Sequence, residues 1–100
     1  MNARLSVASD GVRRLEGVLD FAAAAALYRR TGELLGGEDA TLDLSGLESA
    51  SSAGVALLLE WQRQAHRRGV RLTLAGVPAS VRRVAHLSGV EDLLSGPAAV

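Results

Sequence analysis

The sequence predicts a single α/β domain, a mixed sheet of about four strands with helices packed on it, in the order β-β-α-β-α-β-α. Three observations lead there. One hundred residues with 48% hydrophobic content supply one core and no more. Asp10-Gly11 stands between two short segments that carry Leu5, Val7, Val12 and Leu15, a hairpin signal. Beyond that point helical and strand-like segments alternate, as parallel βαβ crossovers require.

After the hairpin, Asp20 to Leu35 reads as one helix. Asp20 caps it, the alanine run favours it, and Gly36-Gly37 stops it. Phe21, Ala24, Ala25, Tyr28 and Leu35 would form its inner face at helical spacing. Thr41 to Leu44 follows as a short strand, and Ser45 to Ser52 as a loop of small and turn-forming residues. A second helix runs from Ala53 to Arg68, where Gly69 ends it, with Ser51 or Ser52 as its cap. Val70 to Leu74 alternates apolar and polar residues, as a strand does. Gly76-Val77-Pro78 turns into a third helix, with Pro78 at its first position and Val81, Val84 and Ala85 facing inward. Ser88-Gly89 closes it, and Val90 to Leu94 reads as a final short strand or turn.

Composition excludes several function classes. Eleven basic residues, all Arg, balance eleven acidic ones, which argues against electrostatic capture of nucleic acid or anionic lipid. The absence of Cys rules out disulfides and thiolate-bound zinc. The longest apolar run, Phe21 to Tyr28, is eight residues against the roughly 20 of a membrane span, and the N-terminus lacks a signal-peptide core. The chain therefore reads as soluble and cytoplasmic. His66 and His86 stand among arginines in helical segments, and no nucleophile elbow, phosphate loop or clustered set of ligands accompanies them. No enzyme, cofactor or metal is expected.

The informative segment is Asp43 to Leu59. A strand delivers the chain into a Ser/Gly loop, and an apolar helix departs with its unpaired N–H groups directed back at that loop. Such a terminus suits an oxygen ligand, and a hydroxyl there is open to phosphorylation. Along the helix, Val55, Leu58, Leu59 and Ala65 take the inner arc. Leu57 and Trp61 fall at its edge, where Trp61 is either a half-buried packing residue or an interface anchor.

Asp43-Leu44-Ser45, followed by Ser51-Ser52-Ala53-Gly54-Val55, resembles the hallmark of the STAS family, the domain of anti-anti-sigma factors and of several transporter subunits. Gly69-Val70 through Val77 and His86 through Leu94 are similar to that family's later strand and closing segment. The resemblance implies a STAS domain over residues 1–95 with a tail at 96–100. It implies that Ser52 matches the family's phosphorylated or partner-contacting hydroxyl, whereas Ser51 stands where Asp is usual. It also implies a partner surface at Ser51, Ser52, Ala53 and Gly54, to which helix geometry would add Leu57 and Trp61 at the edge of the inner arc. The repeated Leu of Leu57-Leu58-Leu59 and the short hairpin look most like the cytoplasmic STAS subunit of Mla-type phospholipid ABC transporters, whose partner is the transporter ATPase. Membrane association would then be peripheral, through that ATPase. Anti-anti-sigma factors, which bind an anti-sigma kinase, are the second resemblance.

Overall fold

Residues 3–8 and 11–90 are described by the structure, a computed structural model. The elements are β1 (Arg4–Val7), β2 (Arg13–Leu19), α1 (Phe21–Tyr28), α2 (Thr31–Leu34), β3 (Ala40–Asp43), β4 (Leu47–Ala50), α3 (Ser52–Arg67), β5 (Leu72–Ala75) and α4 (Ala79–Leu87). β1 and β2 form the expected antiparallel hairpin, with Leu5 opposite Leu15. β3 lies parallel to β2, and β5 parallel to β3, giving the order β1-β2-β3-β5. The mixed α/β sheet is therefore as anticipated.

It has five strands where about four were expected. β4 runs parallel to β2 beyond the stretch that β3 occupies, pairing Leu19 with Ala50. Its small and turn-forming residues predict a loop, and its burial, with Leu47 and Ala50 inside and Glu48 and Ser49 exposed, lacks the period of two. The pairing also shifts register between Gly17 and Val18. Gly17 has φ +98°, the left-handed conformation that a bulge of this kind takes with glycine.

Leu15, Leu19, Leu42, Leu72 and Leu74 share the buried face of the sheet with the helices. Arg14, Glu16, Thr41, Asp43 and Thr73, one position out of phase, lie partly exposed on the other face. No helix among the described residues is long and apolar enough to cross a membrane.

The helix expected over Asp20–Leu35 is two. Asp20 does cap its start, accepting from the Ala23 N–H at 2.8 Å. Beyond Tyr28, however, the Thr31 hydroxyl donates to the Tyr28 carbonyl at 2.6 Å, an acceptor that a continuing helix would offer to the N–H of Gly32. The inner face of α1 also differs from expectation. Ala23, Ala24 and Leu27 are buried, while Phe21 and Tyr28 are 74% and 52% exposed. Five consecutive alanines left the phase of that helix undetermined, and the larger side chains misled the assignment.

Smaller differences follow the same local logic. β5 begins at Leu72, not Val70, and Pro78 occupies the N-cap of α4, one residue before its first turn. Leu59 is half-buried rather than fully inward. The segment Val90 to Leu94, read as a closing strand or turn, lies outside the described residues after Val90.

Candidate docking site

β2 and β4 are parallel neighbours, so the helices that follow them, α1 and α3, begin side by side at one end of the sheet. The join is specific. Ser51 N–H donates to the Leu19 carbonyl at 2.9 Å, linking the end of β4 to the end of β2. Ser51 is extended, with φ −81° and ψ 174°, and its Oγ accepts from the Gly54 N–H at 3.2 Å. That satisfies one of the donors left over at the helix start. Ser51 is thus the structural cap, and Ser52 is the first residue of α3 with its side chain in solvent.

Gly54 sets the spacing between the two helix starts. A Cβ there would collide with the Leu19 carbonyl oxygen and lie 2.8 Å from Leu19 Cγ, so only glycine lets α3 approach β2 this closely. Ala53 is half-buried and Gly54 buried. The four residues Ser51 to Gly54 thus form one corner of the molecule, rigid in backbone and open at Ser52.

Leu57 and Trp61 do not belong to that surface. Leu57 is 5% exposed and Trp61 is fully buried, so neither can touch a partner without unpacking the core. Trp61 was a candidate for the rim, but its indole Nε1–H donates to Thr31 Oγ1 at 2.9 Å under the α1–α2 junction. A buried indole needs such an acceptor, and Thr31 supplies it. The exposed aromatic residue at the start of α1 is Phe21. It follows Leu19 by two residues and is largely exposed. With Ala22 to Ala26 unbroken, no spacing in the sequence separated it from the core.

On the opposite side of the sheet end, Asp43 Oδ1 accepts from the Ser45 N–H at 2.9 Å, and Arg14 Nε lies 3.4 Å from Oδ2. The backbone hydrogen bond from Ser45, with Arg14 assisting, holds the Asp43 carboxyl below the ordinary range. This arrangement locks the turn after β3. His66 and His86 are both exposed on their helices, away from Ser52 by sequence and position. Among the described residues no group of three His, Asp or Glu is placed to hold a metal.

The family model described as "Mlab, STAS domain" matches residues 4–95. The chain belongs to the STAS family. Solved structures agree on the fold. An anti-sigma factor antagonist of Thermotoga maritima is 18% identical, with a TM-score of 0.70 over 93% of this chain and 83% of that one. The STAS domain of an antisigma-factor antagonist from Rhodobacter sphaeroides is 18% identical, with a TM-score of 0.59 over 80% of this chain and 94% of its own. A structure titled Mglu is 24% identical, with a TM-score of 0.62, and 78% of this chain matches 20% of it. No curated protein matches the chain by sequence. STAS domains are protein-interaction modules.

Proposed function

We propose that this chain is a non-catalytic STAS subunit that binds and supports the ATPase of a phospholipid-trafficking ABC transporter maintaining outer-membrane lipid asymmetry. The observation that carries the reading is the span of the family match, residues 4–95, under a description that names Mlab. The geometry supports docking over chemistry. Ser52 is an exposed hydroxyl on a capped helix start, between Ser51 and Ala53. A partner seated there contacts small side chains, which admit close backbone approach.

In this reading the STAS domain runs to residue 95, with 96–100 as a tail. It stabilises the assembled form of the ATPase by mass action, contributing contacts and no catalytic group. It works in the cytoplasm and reaches the membrane only through its partner.

A second reading has its own support. The two structural neighbours described as anti-sigma factor antagonists share this fold, and Ser52 is accessible to a kinase. In that case the partner is an anti-sigma kinase, and phosphate on Ser52 ends binding by adding charge at the contact. Ser51 weighs against it, since it takes the place of the family's usual Asp. The test is a pull-down from native membranes with mass spectrometry of the retained proteins. A transporter ATPase with its permease supports the first reading. A soluble sigma-regulating kinase, with phosphate on Ser52, replaces it by the second.

A further inference from the structure

Helix α1 presents a solvent face that is apolar from its first residue to its last turn. Phe21, Ala22, Ala25, Ala26 and Tyr28 are exposed, the two rings at 74% and 52%, and Arg29 follows at the C-cap. A surface helix ordinarily carries charged or polar residues on its outer face. The core does not account for this composition, because Ala23, Ala24 and Leu27 already supply the inner face.

The face is centred on Ala25. Phe21 and Ala22 stand four and three residues before it, Tyr28 and Arg29 three and four after, so all five share one side of the helix. That order is self-complementary. Two copies of α1 packed antiparallel about a two-fold axis at Ala25 set each Tyr28 ring level with the partner's Ala22. Each Phe21 ring then comes level with the partner's Arg29, a pairing that suits a cation–π contact. Charge selects the same arrangement. Asp20 caps one end of α1 and Arg29 the other, while Arg30 is paired with Glu33 at 3.1 and 2.9 Å. Beside Tyr28, the α3 residues Arg63 and Arg67 and the following Arg68 outnumber Glu60, so that end is net positive. Antiparallel packing keeps the two positive ends apart and brings each to the partner's Asp20, whereas parallel packing would oppose them.

We infer that the exposed face of α1 is a contact between two copies of this chain. Area sets its strength. An aromatic side chain buries about 150–250 Å², so the exposed parts of Phe21 and Tyr28 with three alanines give roughly 800 Å² over both copies. Stable interfaces begin at about 1,200 Å². The pair is therefore weak and reversible, and the chain is monomeric when dilute. The inference does not depend on which partner Ser52 meets.

The test is sedimentation velocity of the full chain from about 10 μM to about 1 mM, the range in which a weak interface assembles. The expected result is a shift from monomer to dimer across that range. Ala25→Glu places two like charges at the axis and should keep the chain monomeric with its dilute melting temperature unchanged. Leu87→Glu, at an exposed apolar residue of α4, should dimerise as the parent does. The chain has no Cys, so an engineered thiol is the only one present. Helices that meet over alanine bring facing Cα atoms to about 4–5 Å, so Ala25→Cys should cross-link under mild oxidation. Ala22→Cys should not, since its mates lie about 9 Å apart along the helix. A monomer at every concentration, a dimer that survives Ala25→Glu, or cross-linking of Ala22→Cys ahead of Ala25→Cys overturns the proposal. A chain that stays monomeric while Ala25→Glu loses its partner in the pull-down also overturns it, and assigns the face to that partner.

Discussion

Helices α1 and α3 start side by side and are capped in the same way, yet they do different work. Asp20 caps one and Ser51 the other, each through a side-chain oxygen to a backbone N–H three residues on. α1 then buries only Ala23, Ala24 and Leu27 and leaves its largest side chain in solvent. α3 buries Val55, Leu57, Leu58, Trp61, Gln62 and Ala65 over 16 residues. The longer helix is the spine of the core, and the shorter one is a thin layer over it. A site at the start of α3 is therefore held by the whole core, whereas a site on α1 is held by three small contacts. The exposed ring of Phe21 is free to adapt to a partner while Ser52 stays fixed.

Removing Trp61 is the most damaging test of that contrast. Trp61→Ala should cost about 3–5 kcal/mol, the range for truncating a buried aromatic residue. The Thr31 hydroxyl also loses its indole donor. Phe21→Ala, at an exposed side chain, should change stability by only about 0.5 kcal/mol or less. Thermal unfolding of both variants checks the pair, and comparable losses would show that α1 carries more of the core than its burial indicates.

Gly54→Ala comes next. The added methyl group meets the carbonyl of Leu19, which is backbone and cannot rotate away. The cost should lie near or above the upper end of the 1–3 kcal/mol typical of overpacking, because α3 must shift away from β2. That shift moves Ser52 as well, so partner capture in the pull-down should fall together with the urea midpoint. An unchanged midpoint would mean that the close approach of α3 to Leu19 is not maintained in solution.

The legibility of these regions in sequence followed the strength of their periodicity. α3 was delimited to within a residue at each end because Gly69 and the Ser pair bracket a clear apolar stripe. The hairpin was legible from its Asp-Gly pair, although Asp10 itself lies outside the described residues. α1 was not legible in its facing, since alanine marks no face. β4 was missed because its buried positions are three apart and because its partner β2 bulges at Gly17. The helix start at Ser51–Gly54 was legible from its pattern, and Trp61 was uncertain because the rim of a helix stripe is decided by neighbours that sequence does not show. Here the neighbour is Thr31, some 30 positions earlier.

The two serines of the corner should separate stability from docking. Ser51→Ala removes the acceptor of the Gly54 N–H and should cost about 1 kcal/mol, the typical value of an N-cap. Ser52→Asp or Ser52→Arg changes an exposed first-turn residue and should leave melting within about 0.5 kcal/mol. Partner capture should respond in the opposite order, retained in Ser51→Ala and lost in both Ser52 variants. Capture that survives both Ser52 substitutions would move the docking surface elsewhere on the domain.

The smallest expected effect tests the polar side of α3 through pH. Hydrogen bonds from Arg63 and Gln64 hold the Glu60 carboxyl at about 2, below its ordinary 4.5. A carboxyl lowered in the folded state stabilises the fold above its unfolded value. That contribution is lost as pH falls from the unfolded toward the folded value, because the unfolded chain takes up the proton first. Glu60 is partly exposed, so its share should be no more than the roughly 0.3–0.5 kcal/mol of a helix ion pair. Glu60→Gln should therefore melt slightly below the parent chain at neutral pH, with the gap closing between about pH 4.5 and 2. A gap that persists at the acid end would assign the difference to packing of the amide and not to charge. High salt should shrink the neutral-pH gap as well, since a pair this close to solvent is screened.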